Sequence, residues 1–229
     1  MSSALRSLNI LLVLLTCVAS IWAWINLPEM ERYPVHWNAR GEADAFGSKK
    51  AVLLNLSIMP FTALFMYVVL RICSGLSGAK DAMKNNRLVF DILMHSLLWL
   101  FLVIGIFIAS QYMDKDAGEG SPLKVEIMLR LLPIFLAIFF IVIGNILPKF
   151  RQNYFIGVRT PWTLKSKMTW EATHRVTARL WVGAGVLTLI AQLFTSPEQG
   201  LFITIALLLG ASFGAIIYSY VYYLKAPDR

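Results

Sequence analysis

Long stretches without a charged side chain alternate along this sequence with shorter segments that are rich in charged and polar residues. Six stretches of 18 to 26 residues contain no Asp, Glu, Lys or Arg. They are residues 7–28, 51–70, 92–113, 131–148, 180–197 and 199–224. A helix needs about 20 residues to cross the roughly 30 Å hydrocarbon core of a bilayer, whereas barrel strands alternate over about 10 residues. The pattern therefore predicts an all-α integral membrane protein, a bundle of six transmembrane helices.

The composition agrees with this prediction and excludes several other classes of protein. Of the 229 residues, 58% are hydrophobic and 15% are charged, and the mean hydropathy is +0.65. Soluble domains are roughly 45–50% apolar and about 25% charged. A soluble enzyme, a disordered chain and, with two cysteines, a secreted disulfide scaffold are excluded. The first apolar run exceeds the 7–15 residues of a signal-peptide core, so we expect it to be retained as a span.

The distribution of Lys and Arg predicts the orientation of the spans. With a cytoplasmic N-terminus, 14 of the 21 basic residues lie on the cytoplasmic side and 7 lie outside. Cytoplasmic loops of membrane proteins carry the excess of basic residues. We therefore expect both termini and residues 147–178 to be cytoplasmic and residues 27–50 to face outward. The net charge of +8 then belongs mostly to the cytoplasmic face, where it suits anionic lipid headgroups and not nucleic acid.

Two long loops organise the chain into three parts. The N-terminal domain is residues 1–73, with spans one and two around the outer loop, residues 27–50. Residues 74–146 contain spans three and four. The C-terminal domain is residues 147–229, in which the inner loop, residues 147–178, precedes spans five and six. Because loops carry function more often than spans do, the candidate sites lie in these two loops.

The outer loop contains a segment that is typical of an ordered recognition element. Prolines favour extended geometry for the preceding residue, so residues 33–37 are predicted to be extended and residues 38–41 to form a turn. The recognition candidates are Pro34, His36, Trp37, Asn38, Gly41 and Asp44. His36, Glu42 and Asp44 suggest a metal site, but they lack the paired spacing of dedicated sites, and we expect no metal. A loop anchored on Trp37 and a structural cap remain the alternatives.

The inner loop predicts a turn followed by two capped helices. Asn153 to Gly157 favours a turn, and Thr160-Pro161 is typical of a helix cap followed by proline at the first helical position. Ser166 is predicted to cap a second helix that continues into span five. On it, one face is formed at helical period by Trp170, His174, Thr177 and Trp181. The alternative is an amphipathic segment at the headgroup boundary, with Arg175 and Arg179 reaching the interface.

Taken together, the two loops resemble the SdpI family of bacterial multi-pass membrane proteins. Pro34-Val35-His36-Trp37-Asn38, with Gly41 and Asp44, resembles the family's N-terminal domain. Its C-terminal signature is matched by Asn153, Phe155, Gly157, Arg159, Thr160, Pro161, Trp162, Thr163, Trp170, His174 and Arg175. The resemblance implies a bacterial inner-membrane protein that protects the cell against a secreted peptide toxin. It also implies a possible relay in which a small cytoplasmic autorepressor is held at the membrane.

A few polar and small residues inside the spans are further candidates, since polar groups in lipid are costly. Arg87, Asp91 and His95 follow one another at four-residue spacing. They suggest a proton relay or, as we prefer, a terminal ion pair with the imidazole hydrogen-bonded to a neighbouring helix. Three amides are predicted to form interhelical hydrogen bonds: Asn55, Asn145 and Gln192. Ala206, Gly210 and Gly214 form a ridge that favours packing within the chain over a homodimer.

These features favour a non-enzymatic immunity or signalling protein without a cofactor. Its predicted partners are the lipid bilayer, a secreted peptide toxin and a cytoplasmic autorepressor, with no direct contact to nucleic acid. The alternative is a small secondary transporter or exporter that acts as an oligomer, suggested by Asp91 and His95. A membrane enzyme is disfavoured because the sequence has neither H-E-x-x-H nor G-x-S-x-G, so no catalytic residues are assigned.

Overall fold

The computed structural model describes residues 3–38, 43–75, 87–113, 122–154 and 156–228. It includes their side chains except those of residues 3–4, 73–75, 87–89 and 122–125. Two candidates of the sequence, Gly41 and Phe155, lie outside the described residues, as does the Arg87 side chain. The predicted turn at residues 38–41 is therefore described only at Asn38.

The described residues form six long apolar helices, a two-stranded hairpin and one short helix. In chain order the elements are α1 Ser3–Ile25, β1 Tyr33–Trp37, β2 Ala43–Gly47, α2 Lys49–Gly75, α3 Arg87–Gln111, α4 Pro122–Ile146, a 3-10 turn Leu147–Lys149, α5 Pro161–Lys165, α6 Lys167–Phe194 and α7 Pro197–Lys225. All six long helices are long and apolar enough to cross a membrane. The predicted six-helix membrane fold is confirmed.

The surface of these helices is apolar in the way that lipid requires. Leu54 and Phe61 on α2 are 70% and 68% exposed, and Leu193 on α6 is 77% exposed. Large apolar side chains exposed in such numbers would be unfavourable in water and mark a surface that meets another apolar phase. The chain is therefore a multi-pass membrane protein.

Local signals explain where the last two long helices begin. Ser166 precedes α6 and its hydroxyl accepts a hydrogen bond from the Thr169 amide, as the sequence predicted. Before α7, Ser196 forms a capping box with Gln199, and Pro197 occupies the first helical position. Each cap satisfies amides that the helix itself leaves unpaired. The turn between the two helices is consequently short.

Two compact units divide the chain, and each contains its own buried cluster. One comprises Met1–Arg71 and Met94–Leu132, and the other comprises Ile72–Leu93 and Pro133–Arg229. In the first unit the cluster includes Ala23, Leu27, Tyr33, Val52, Leu56, Ala109 and Tyr112. In the second it includes Ile143, Ile146, Leu147, Phe150 and Trp170. The three-part division predicted from the sequence follows loops and motifs, and it stays a prediction.

Glycines bring α4 and α6 close together in the second unit. A Cβ at Gly185 would lie 2.7 Å from Ile141 Cγ1 and 2.8 Å from the Ala137 carbonyl oxygen. At Gly144 it would lie 2.9 Å from Val182 Cγ2. Small residues allow such close approach between membrane helices, where dispersion contacts replace the hydrophobic effect. This crossing supports the segment that follows α4.

The ridge of small residues on α7 is only partly packed within the chain. A Cβ at Gly214 would meet Leu180 Cδ1 of α6 at 3.8 Å, which is ordinary contact within the chain. One at Gly210 would meet nothing within 4 Å, and Ala206 is exposed. The prediction of packing within the chain is therefore wrong at Gly210; the buried residues of α7 include Thr204, Leu208 and Ala215 instead. A homodimer through Gly210 and Gly214 stays a prediction.

The contrast between two of these glycines gives a test of the helix crossing. We expect Gly185→Ala to lower the free energy of unfolding by about 1–3 kcal/mol, because the new methyl group meets a backbone carbonyl. At Gly210 an added methyl group meets nothing within 4 Å. We therefore expect Gly210→Ala to leave the free energy of unfolding unchanged or to raise it by up to about 1 kcal/mol, because alanine restricts the unfolded chain. Thermal unfolding of the two purified variants in one detergent compares them. Equal midpoints for both variants would contradict the crossing.

Candidate functional site

The predicted recognition segment forms one strand of a hairpin, here called the hairpin, residues 33–47. β1 pairs antiparallel with β2, with Tyr33 opposite Gly47 and Trp37 opposite Ala43. The register is irregular between Pro34 and Trp37, and the Val35 carbonyl instead accepts a hydrogen bond from Asn55 Nδ2 of α2 at 2.9 Å. The extended segment was predicted, whereas β2 was not. Ala43-Asp44-Ala45-Phe46 does not alternate strictly between apolar and polar residues, so it gave little signal for a strand.

Polar and aromatic contacts fix the hairpin to its helices. Besides the Val35 carbonyl, the Asn55 amide reaches the Tyr112 hydroxyl at 3.0 Å. Tyr112 also meets the Trp37 ring edge-on, with centroids 6.0 Å apart. Burial raises the pKa of the Tyr112 phenol, and the hydrogen bond with Asn55 partly offsets this shift. The hydrogen bonds of Asn55 were predicted to be interhelical; they instead join α2 to β1 and to Tyr112, the residue directly after α3. Trp37 is anchored and half-buried.

His36 of β1 and Asp44 of β2 come together in the hairpin. Their Nδ1 and Oδ1 atoms are 2.5 Å apart, and the side chains are 69% and 42% exposed. An exposed pair of this kind contributes about 0–1 kcal/mol to stability. Its exposure leaves both groups accessible to a ligand. Glu42, the third residue considered as a metal ligand, lies outside the described residues. Among the described residues, no cluster of three His, Cys, Asp or Glu side chains could hold a metal ion.

The C-terminal signature residues form a second constellation, here called the signature loop, residues 150–166. The Asn153 side chain closes its turn: Oδ1 accepts from the Ile156 amide at 2.9 Å, and Nδ2 donates to the Arg151 carbonyl at 2.8 Å. Asn153 is buried, so each of these hydrogen bonds replaces one with water. The predicted turn between Asn153 and Gly157 is confirmed at the residues that are described.

A stacked pair of side chains on α6 supports the middle of the signature loop. The Trp170 and His174 rings stack at 4.1 Å, and both residues are 1% exposed. Trp170 Nε1 donates to the Phe150 carbonyl at 2.8 Å. His174 accepts from the Val158 amide through Nε2 at 3.2 Å, while its Nδ1 lies 2.8 Å from the Trp170 carbonyl. An imidazole that donates through Nδ1 and accepts through Nε2 is neutral, with one defined tautomer.

The start of α5 is held by a reciprocal cap. Thr160 accepts from the Thr163 amide, and Thr163 Oγ1 accepts from the Thr160 amide at 2.9 Å. Pro161 occupies the first helical position, as predicted. Trp162 then reaches α7, where its Nε1 donates to Ser219 Oγ at 2.6 Å and its ring meets Tyr220 edge-on. The signature residues thus tie the loop to the last span.

The two arginines of the signature are on the surface. Arg159 is exposed and donates from Nη1 to the Tyr154 carbonyl at 2.6 Å. Arg175 is exposed on α6 and lies 3.9 Å from the Glu171 carboxylate. Both contacts are local, in contrast to the buried network of the other signature residues. Arg159 therefore braces its own turn from the surface of the loop.

The C-terminal tail caps α6, which sequence analysis missed. Asp228 Oδ1 accepts from the Ser166 hydroxyl at 2.5 Å, and Oδ2 accepts from the Met168 amide at 3.0 Å. A carboxylate at a helix N-terminus is favourable because the first amides and the helix dipole attract negative charge. The hydrogen bond from Met168 and then that from Ser166 lower the pKa of Asp228 below its ordinary value of 3.8.

This lowered pKa predicts how stability depends on pH. A carboxylate with a lower pKa in the folded state stabilises the fold above its ordinary value and loses that contribution as the pH falls through the folded pKa. We therefore expect Asp228→Asn to lower the melting temperature near neutral pH. The difference from the unmodified protein should shrink below about pH 3.8. Glu198→Gln, at the start of α7, is the matched control. A pH-independent difference for Asp228→Asn would contradict the cap.

The intramembrane candidates Asp91 and His95 are both in α3. His95 Nδ1 lies 2.9 Å from Asn9 Oδ1 of α1, and Trp99 Nε1 donates to His95 Nε2 at 3.0 Å. The preferred interpretation of an imidazole hydrogen-bonded to a neighbouring helix agrees with this geometry. Asp91 is 5% exposed. Asn9 was missed, although a buried amide in the first span is a polar residue of the kind that signals a contact.

The other two amides, Gln192 and Asn145, form hydrogen bonds of different kinds. Gln192 Nε2 lies 3.5 Å from Thr204 Oγ1, so it links α6 and α7 as predicted. Asn145 Nδ2 instead donates to the Ile141 carbonyl of its own helix at 2.8 Å. For Asn145 the predicted interhelical hydrogen bond is wrong, since an exposed amide can satisfy its donor one turn back along the helix.

The fold and these two loops define a class of protein: a six-helix membrane protein with an ordered hairpin after its first span and a self-capped loop before its fifth. A family model described as the SdpI/YfhL protein family matches residues 149–219. A model described as a domain of unknown function, DUF1648, matches residues 11–67.

The chain is similar to the SdpI family, which confirms the resemblance carried by the two motifs. It is 28% identical over 218 residues to "Immunity protein SdpI" of Bacillus subtilis (strain 168), and the match covers 95% of each chain. No solved structure matches the chain.

Proposed function

We propose that this chain is an immunity protein of the bacterial inner membrane that gives resistance to a secreted antimicrobial peptide. The similarity to the Bacillus subtilis immunity protein, which extends over 95% of both chains, carries the proposal. The two family models cover most of both motif-bearing loops, so the similarity is not confined to the spans. The recognition element that we assign is the hairpin, with Trp37 as its anchor and His36 and Asp44 as accessible polar groups.

Sensitivity to envelope-active peptides tests the proposal. The gene is deleted, and the mutant is challenged with peptides purified from the culture medium of the same organism and its neighbours. We expect the deletion to increase sensitivity to at least one peptide and the intact gene to restore resistance. An unchanged sensitivity to all of them would count against immunity.

The proposed topology places the hairpin outside, where a secreted peptide arrives. In a variant that lacks Cys17 and Cys73, we expect Ser48→Cys to react with an impermeant thiol reagent in intact cells. Lys167→Cys, at the start of α6, should react only after the cells are opened. Both positions are exposed, so a difference reports the side of the membrane. Protection of Ser48→Cys in intact cells would reverse the orientation.

A relay to a cytoplasmic autorepressor is the finer part of the proposal. The signature loop supports this relay because a buried network of hydrogen bonds fixes its backbone. Tyr154, which is 72% exposed, and Arg159 remain on the surface of the loop. A preorganised surface loses little entropy when a partner binds. We expect Arg159→Lys to keep protein level and resistance but to lose a co-purifying cytoplasmic partner. Loss of stability instead would assign Arg159 to the loop alone.

The alternative of a proton-coupled transporter receives less support from the geometry. His95 uses Nδ1 and Nε2 in hydrogen bonds to Asn9 and Trp99. A proton relay needs an imidazole that can take up a proton, and here the indole donor occupies the accepting nitrogen. Proteoliposome flux that disappeared in Asp91→Asn would favour transport.

A further inference from the structure

A cavity of about 270 Å³ lies beneath the hairpin in the first unit. β1 and the residue after it provide one wall through Val35, Trp37 and Asn38. The helices α2 and α3 provide the opposite walls, with Ile58 and Phe107 among the lining residues. An apolar cavity of about 150 Å³ is known to take up benzene, so this volume suits one larger, bicyclic group. It is too small for a whole peptide.

Gln111 at the end of α3 also lines this cavity, and its amide is incompletely satisfied. The residue is 6% exposed, and Nε2 has no hydrogen-bond partner among the described residues. A buried donor without an acceptor is unfavourable, and native proteins rarely keep one without a reason. The terminal torsion of a glutamine side chain is soft, so a small rotation directs Nε2 to an acceptor in the cavity. A ligand that carries a carbonyl or similar oxygen would satisfy this donor.

The lining distinguishes this cavity from surfaces that meet lipid tails. Three larger apolar cavities, of about 340, 390 and 460 Å³, lie along the described helices and are lined by neither amide nor charged side chains. The cavity beneath the hairpin is lined by three amide side chains, those of Asn38, Asn55 and Gln111, and by the His36 imidazole. An acyl chain offers nothing to these groups, whereas a peptide offers an amide beside each side chain.

We propose that this cavity binds one large aromatic side chain of a peptide, whose neighbouring backbone carbonyl accepts a hydrogen bond from Gln111 Nε2. Trp37 and Phe107 provide aromatic walls for the ring. The assignment of that peptide as a toxin rests on the proposed immunity function. The cavity itself is assigned from its lining and its unsatisfied amide.

Two small probes separate the apolar part of the site from the hydrogen bond. N-acetyl-tryptophan amide carries the ring and two carbonyls, and 3-methylindole carries the ring alone. Their binding to the full chain in lipid nanodiscs is measured by saturation-transfer NMR. We expect both probes to bind, with the amide probe tighter by about three- to tenfold, which is the usual contribution of one neutral hydrogen bond.

Variants at the cavity provide the controls. Ile58→Trp fills the cavity from α2, and Leu54→Trp adds the same side chain one turn away, at a position that is 70% exposed and does not line it. We expect Ile58→Trp to abolish the binding of both probes above the background from lipid, and Leu54→Trp to leave it within about twofold of the original. Gln111→Met should remove only the preference for the amide probe, with no loss of thermal stability.

Each other outcome overturns the proposal. Equal behaviour of Ile58→Trp and Leu54→Trp would show that the probes bind elsewhere. A preference for the amide probe that survives in Gln111→Met would exclude the assigned hydrogen bond. Binding in detergent that disappears in nanodiscs would identify lipid as the occupant of the cavity.

Failure of this inference and failure of the immunity proposal are distinguishable. If the probes bind as expected but deletion of the gene leaves every peptide sensitivity unchanged, the peptide site stands and its assignment to a toxin is wrong. If deletion removes resistance but neither probe binds, immunity stands and the toxin is recognised at another surface.

Discussion

Replacing Gly157 by alanine is expected to prevent the signature loop from forming. Gly157 has a φ of +120°, which L side chains rarely adopt. A Cβ there would also lie 2.9 Å from the Trp170 ring and would overlap His174 Nε2. Backbone strain of about 1–3 kcal/mol adds to a steric cost of similar size in a packed site. We expect the free energy of unfolding to fall by about 3 kcal/mol or more.

The stacked rings of Trp170 and His174 cannot easily move to make room for a methyl group at residue 157. His174 accepts from the amide of Val158, the residue directly after Gly157, and Trp170 is fixed by its hydrogen bond to Phe150. A shift of either ring to admit a methyl group breaks one of these buried hydrogen bonds, at about 1–3 kcal/mol for the group left unpaired.

Membrane abundance and melting temperature measure the effect, with Gly183→Ala as the control. Gly183 lies on α6, where an added Cβ meets nothing within 4 Å. We expect Gly183→Ala to accumulate and melt like the unmodified protein, whereas Gly157→Ala accumulates poorly. If the two variants behaved alike, the loop would not depend on the glycine conformation or on the stacked pair.

The spans and the caps could be predicted because both are local properties of the sequence. Charge-free stretches of about 20 residues mark membrane helices wherever they pack, since lipid satisfies no backbone group. Ser166 and Thr160-Pro161 identify helix starts for an equally local reason, namely the unpaired amides of the first turn. The start of α6 at Lys167 follows from the cap and not from the apolar stretch, which begins 13 residues later at residue 180.

The partners of the site residues could not be predicted, because they are distant in sequence. Asn9 and His95 are 86 residues apart, and Asp228 and Ser166 are 62 residues apart. Helical period shows that Trp170 and His174 share a face, but it contains no information about which loop amide meets that face. The cavity beneath the hairpin is likewise formed by separate segments, which only tertiary packing brings together.

The second large effect is expected at Trp37, whose replacement by alanine should abolish protection. Its ring packs against the buried cluster of the first unit and meets Tyr112 edge-on, so it is held in one orientation. A rigid, half-buried aromatic residue is the usual anchor of a recognition surface, and its truncation commonly costs about 2 kcal/mol or more. We expect a loss in peptide tolerance of about thirtyfold, measured as the concentration that halves growth.

Two further variants separate recognition from folding at this residue. Trp37→Phe keeps an aromatic ring against Tyr112 and should retain most of the stability of the hairpin while losing part of the protection. Trp22→Ala removes the same side chain from α1, where it is 55% exposed, and should leave protection unchanged. Melting temperature and membrane abundance are measured for all three variants. Full protection by a stable Trp37→Ala protein would show that the hairpin only covers the helices. A loss of protection with unchanged abundance, restored in part by phenylalanine, places peptide recognition at the ring that also walls the cavity.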